Sequence, residues 1–177
     1  IQNFVKIVGD ARKEADIVIA CIHSGGQFNK LPGKRTEELF RQISPYVDAI
    51  IGNHPHVIQK FEMVDSGAVV AYSLGTMNLS LSADYISFEN LPQYSMALNI
   101  YIDEKQKAIK KVTASFLCAE EDCEGYVRVY PITEMIDALP DQSEKILKDV
   151  AHLLSIVKGG MDIENRIQIQ EEYTLWE

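Results

Sequence analysis

The chain has 177 residues, 46% of them hydrophobic, enough to bury a sizeable core in one domain with a small appendage. A formal net charge of -9 argues against nucleic acid as a main partner, because that binding rests on lysine and arginine neutralising phosphates. No apolar run approaches the ~20 residues of a membrane-spanning helix, and three cysteines are too few, and odd in number, for a disulfide framework.

The opening stretch, IQNFVKIVGDARKEADIVIA, reads as a helix feeding a buried strand. It has no initiating methionine and no signal peptide, so it is expected to enter a longer protein in mid-fold, with any anchor upstream. DIVIACIH, residues 16–23, is a short β-rich apolar run of the kind buried inside an α/β sheet, and it leads into the glycine-containing loop HSGGQF. GKRTEELFRQISPYV places Leu39, Phe40, Ile43 and Val47 at helical spacing, with Pro45 closing the helix. DAIIG is a second buried strand, and the order strand, helix, strand predicts a parallel crossover.

HVIQKFEMV and AVVAYSLG are predicted to pair as a hairpin around Asp65-Ser66-Gly67. A loop, TMNLSLSADYISFENLPQ, leads to a second hairpin made by YSMALNIYID and AIKKVTASFLCA. GYVRVYPI is a further strand. SEKILKDVAHLLSIVKGG is an amphipathic helix with Ile146, Val150, Leu153, Leu154 and Val157 on one face, stopped by Gly159 and Gly160. The domain is expected to occupy residues 1–160, with a weakly patterned tail over 161–177. Cys118 and Cys123 could pair across a turn, but two free buried thiols are the favoured reading. The expected class is α/β, an α+β layered domain that begins in crossover style and continues as mostly antiparallel sheet.

Chemistry concentrates in IIGNHPHVIQKFE, residues 50–62, which holds two of the four histidines. Proline pushes the residue before it toward extended backbone, so His54 is expected extended, with His54 and His56 aimed to one side. Gly52 lets the backbone turn or approach a ligand closely. His23 ends the preceding strand, and parallel neighbours present their C-terminal ends at one edge, where open α/β sheets bind ligands. Three converging imidazoles suit a divalent transition metal. The alternative is that each histidine is a hydrogen-bonded structural residue. His152 lies on the last helix, apart from this group.

DIVIACIHSGGQF, VDAIIGNHPHVIQKFE and AVVAYSLGTM together resemble the CapA family of bacterial capsule and poly-γ-glutamate synthesis proteins, similar in fold to calcineurin-like metallophosphoesterases. Gly52, His54, Pro55, His56, Val57, Gln59 and Glu62 match the family's central motif, and Tyr72, Ser73, Leu74 and Gly75 its last. The chain departs from the family at Ser24, Gln27, Phe28, Asn53, Thr76 and Met77, where the family has tryptophan, glutamate, tyrosine, histidine, asparagine and phenylalanine.

The resemblance implies the C-terminal portion of a metallo-dependent phosphatase-like sandwich with mixed and antiparallel strands. It implies divalent metal ions (manganese, zinc or iron) on His23, His54 and His56, with Asn53, Glu62 and Gln27 as outer residues that orient the imidazoles. A missing N-terminal half would supply the acidic ligands, for which Asp10 is a poor substitute. The implied partners are an anionic cell-surface polymer or its precursor and other capsule synthesis proteins, on the outer face of the membrane. A homodimer or the N-terminal half would cover any open sheet edge. A non-catalytic member that binds polymer or partners in a synthesis complex is the alternative.

Overall fold

The computed structural model describes residues 2–84, 86–161, 163 and 167–177. The expectations for Ile1, for Tyr85 in the long loop and for residues 162 and 164–166 of the tail lie outside the described residues. Helix α1 (Gln2–Glu14) leads into β1 (Ile19–His23). Helix α2 (Lys34–Ile43) follows and ends where Pro45 enters a short 3₁₀ turn. Then come β2 (Ala49–Asn53), β3 (Phe61–Met63) and β4 (Val69–Ala71). These four strands form one mixed sheet in the order β1-β2-β4-β3. The pairs β1–β2 and β2–β4 are parallel, and β3 runs antiparallel to β4.

The second sheet is antiparallel. Strand β5 (Tyr94–Asp103) pairs along β6 (Ala108–Glu121). On the other edge of β6, β7 (Val127–Pro131) and β8 (Tyr173–Trp176) lie end to end. Helices α3 (Ile132–Ala138) and α4 (Ser143–Val157) complete the second half. The result is an α/β layered domain with one mixed and one antiparallel sheet.

The central strands sort alternate residues to opposite faces. Ile50, Val70 and Tyr72 join Val8 of α1 and Phe40 and Ile43 of α2 in one hydrophobic cluster. Ala49, Val69 and Ala71 face the other way, into a larger cluster with Met96, Val112, Phe116 and the α4 face of Ile146, Val150, Leu153, Leu154 and Val157. Asp48 ties the first crossover together: its carboxylate accepts the Val18 N–H at 2.7 Å and pairs with Arg12 at 2.9 Å.

Four details differ from the sequence-based expectation. Strand β1 is an edge strand, not an interior one: Ile19, Cys21 and His23 are exposed, because among the described residues no strand pairs with its outer side. The first hairpin is short, since β3 and β4 share only three register pairs, with an isolated bridge between Ile58 and Leu74. Helix α3 and strand β8 form where no strong pattern was visible, each by packing Ile132, Met135 or Tyr173 into the larger cluster. Cys118 and Cys123 are both free; Cys118 is buried, and burial pushes its thiol up to about 12, but Cys123 is exposed in a turn.

Gly52 sits where β2 passes β4 most closely. A Cβ at this position would run into the Tyr72 carbonyl oxygen and come within 3.1 Å of the Phe40 ring. Gly52→Ala should therefore cost about 1–3 kcal/mol or more, read as a lower urea midpoint at constant slope. Leu153→Ala removes a fully buried side chain from the larger cluster and should cost about 2–5 kcal/mol in the same measurement.

Candidate functional site

His23 is the last residue of β1 and Asn53 the last of β2, and the two are register partners. Parallel strands deliver their C-terminal loops to one edge of the sheet. Here the loop after β1 is tied to the end of β2, because the Ser24 N–H donates to the Asn53 carbonyl at 2.9 Å. The chain leaving β2 therefore enters His54-Pro55-His56 beside His23. His54 Nδ1 lies 2.8 Å from His23 Nε2, with the rings edge-on and their centroids 4.6 Å apart. The His56 ring centroid is 5.9 Å from that of His54. A cleft of about 350 Å³ runs past all three imidazoles, between Asn53, Thr76 and Ser95.

The imidazoles are not gathered in the way the proline predicts. His54 has φ +112° and His56 φ +61°, so neither is extended, and the same-side rule for extended chain does not apply. The chain instead reverses tightly after Asn53. Pro55 is buried, its carbonyl accepts the Phe28 N–H at 2.7 Å, and a Cβ on Gly25 (φ +127°) would lie 3.1 Å from the proline ring. Positive φ in residues other than glycine is costly, and such residues cluster at functional sites.

Two imidazole nitrogens 2.8 Å apart either share an N–H···N hydrogen bond or face one cation. Two nitrogen ligands on a tetrahedral ion, at bonds of about 2.0–2.1 Å, stand about 3.3 Å apart. The His23–His54 contact therefore has hydrogen-bond length, and a separation of the rings by about half an ångström would open it to a shared ion. Among the described residues, no three His, Cys, Asp or Glu side chains are arranged to hold a metal ion, so the pair does not form a complete ligand set there. His56 is held below the usual histidine range, first by burial and then by the charges of His54 and His23. That shift favours the neutral imidazole that metals and protons compete for.

The other expected residues are spread out. Asn53 is exposed at the cleft. Gln27 is exposed in the loop after β1 and makes no side-chain hydrogen bond among the described residues. Glu62 does not reach the imidazoles. It accepts the Tyr72 hydroxyl at 2.8 Å and pairs with Lys60 at 3.3 Å, on the side of the sheet that faces α2. Strand alternation explains this, since Glu62 sits opposite Val70, whose side chain also faces α2.

Tyr72 and Ser73 are structural, as their strand-end position suggests. The Tyr72 ring stacks on Phe40 at 5.2 Å, and burial, then Glu62, raises its hydroxyl pKa. The Ser73 hydroxyl accepts the Gly75 N–H at 3.3 Å. Asp10 pairs with Lys13 on α1, and His152 is on the exposed side of α4. Sequence reasoning gave no role to Gln59, which is buried and donates its amide to the Asn29 carbonyl at 2.7 Å, or to Asn90, which donates to the Phe28 carbonyl at 2.8 Å. A buried glutamine inside the histidine motif was a readable signal; Asn90, far along the chain, offered none.

Comparison with known proteins places these residues. The family profile described as bacterial capsule synthesis protein PGA_cap matches residues 2–78, from α1 through β4. Over 75 residues the chain is 40% identical to the PGA biosynthesis protein CapA of Bacillus subtilis (strain 168), covering 42% of this chain and 20% of that protein. Over 76 residues it is 37% identical to the capsule biosynthesis protein CapA of Bacillus anthracis, covering 42% of this chain and 18% of that one. The profile match contains His23, Asn53, His54, His56, Gln59 and Glu62 and ends before β5. Residues 2–78 are thus similar to the bacterial capsule synthesis family, and the chain spans about a fifth of the length of the two CapA proteins.

Proposed function

We propose that the chain works in the biosynthesis of an anionic capsular polymer such as poly-γ-glutamate, through a divalent-metal site to which His23 and His54 contribute. The observation that carries this reading is the 2.8 Å approach of two imidazoles at neighbouring parallel strand ends. The strained backbone of His54 and His56 and the cleft alongside support it. The relatives are named for capsule and PGA biosynthesis. Further ligands would come from residues beyond the described cluster.

In this reading His23 and His54 hold the ion, and His56, neutral beside them, accepts or holds a proton at the cleft. The exposed Asn53 amide offers hydrogen bonds to a bound anion. A divalent ion such as manganese, zinc or iron supplies the positive charge for an anionic substrate and lowers the pKa of a bound water. The charge balance supports the need for it: a chain of net charge -9 repels an anionic polymer unless a local cation overcomes that field. The partners would be the polymer or its precursor and other capsule synthesis proteins at the cell envelope. No helix among the described residues is long and apolar enough to cross a membrane.

A second reading is a non-catalytic component that binds polymer or partner proteins. It is favoured by Gln27 and Thr76, and by the His23–His54 contact, which satisfies both rings as a plain hydrogen bond.

Elemental analysis of the purified protein should find stoichiometric divalent metal, lost in His23→Ala/His54→Ala. Equal metal content in both, or none in the parent, would leave the binding reading in its place. A capsule-forming strain carrying His54→Ala should lose its polymer under the metal reading and keep it under the binding reading. Because imidazole ligates only when neutral, metal occupancy should rise with pH across the histidine range and fall away below about pH 6. Occupancy that stays flat from pH 5 to 8 in equilibrium dialysis would count against histidine ligation.

A further inference from the structure

Phe28 and His56 form an unusual pair. Both are non-glycine residues in the left-handed region, with φ +58° and +61°. Their rings face each other at 5.9 Å, tilted by 36°. Two such residues in contact are held only where the surroundings over-determine them. The surroundings here are specific. The Phe28 N–H donates to the Pro55 carbonyl at 2.7 Å, which fixes the loop after β1 onto the histidine turn itself. The Phe28 carbonyl accepts the Asn90 side-chain amide at 2.8 Å, and the next carbonyl, that of Asn29, accepts the Gln59 side-chain amide at 2.7 Å. Gln59 is itself anchored, 2% exposed, with its N–H on the Ser73 carbonyl at 3.1 Å.

We infer that Gln59 and Asn90 are positioning residues for the histidine cleft: by holding two successive carbonyls they set the Phe28 ring against His56 and so fix the orientation of that imidazole. The inference deepens the metal reading but has its own observable. Each amide reaches from a different part of the fold. Gln59 comes from the segment after the histidine turn, and Asn90 from the segment that leads into β5. Asn90 lies outside residues 2–78, where the family profile matches, so this contact joins the matched segment to the rest of the chain. In the metal reading His56 borders the ion held by His23 and His54, so its orientation shapes the cleft beside the ion rather than the ligand bonds. Asn90 is half-exposed, so its loss leaves the core intact.

The test compares the parent protein with Asn90→Ala, Gln59→Leu, Phe28→Ala and Phe28→Tyr. The first readout is the ring ¹H–¹³C NMR signal of His56 in the metal-free protein, which needs no bound ion. Asn90→Ala and Phe28→Ala should move and broaden it, and Phe28→Tyr, which keeps the ring, should leave it in place. The second readout is titration with cobalt(II). Because His23 and His54 are untouched, all four variants should bind cobalt within about threefold of the parent, and Asn90→Ala and Phe28→Ala should alter the visible absorption band more than Phe28→Tyr does. A His56 signal unmoved in both Asn90→Ala and Phe28→Ala overturns the inference, whatever the metal result. If the parent takes up no cobalt while the His56 signal moves as expected, the metal reading fails and the positioning role stands. If Gln59→Leu does not fold, Asn90→Ala and Phe28→Ala decide the matter.

Discussion

The parallel pairing of β1 with β2 is the constraint on which the site depends. It places His23 level with Asn53, so that the first residue beyond β2 is delivered to the ring already waiting at the end of β1. A shift of one residue would turn every side chain of the strand to the other face. That register is held from below by Asp48, which receives the Val18 N–H and the Arg12 guanidinium where the two strands begin. It is held from above by the Ser24 N–H on the Asn53 carbonyl. Between these clamps Gly52 lets β2 approach the Tyr72 carbonyl more closely than a side chain would allow. Packing, register and imidazole placement are therefore one problem, solved by the same few residues.

The two faces of this sheet have different jobs. The α1–α2 face is sealed by Phe40 stacked on Tyr72, and its polar rim is closed by Lys60 against Glu37 and Glu62. That arrangement uses Glu62 for stability and removes it from the histidines. The other face looks toward the antiparallel sheet, and here the cleft forms, because β4 continues through Gly75 (φ +80°) to bridge Ser95 at the start of β5. The Met96 N–H on the Leu74 carbonyl at 2.8 Å closes that seam. The cleft thus has one wall from each sheet, with the histidines on the first and Ser95 and Met96 on the second. The segment that the family profile matches supplies the imidazoles, and the remainder of the chain supplies part of the enclosure.

Electrostatically the site is a small polar island in an acidic protein. Its imidazoles carry no carboxylate partner among the described residues, and His56 is drawn toward its neutral form by burial and by its neighbours. His54, His56 and Phe28 all have positive φ around this island.

Local patterning sufficed for most of the fold. The 3.6-residue spacing in α2 and α4, the apolar runs of β1 and β2 and the turn chemistry at Asp65-Ser66-Gly67 each encode their element within a few neighbouring residues, and the crossover order carries the parallel pairing with it. That His23, His54 and His56 lie together at neighbouring strand ends was also legible, since strand ends and residue types are local facts. Tertiary structure decided what depends on distant partners. Strand β1 became an edge because nothing among the described residues pairs beyond it, and β8 became a strand only because the edge of β6 was there to receive it. His54 left the extended region that Pro55 favours because the Phe28 and Ser24 N–H groups and the buried proline ring hold the turn in another shape. Glu62 was claimed by Tyr72 and Lys60, and Asn90 was brought to Phe28 across 62 positions of sequence. Sequence alone determined which residue types stand at the strand ends. Long-range hydrogen bonds and strand alternation decided which of them meet, because those energies exist only once distant segments are packed together.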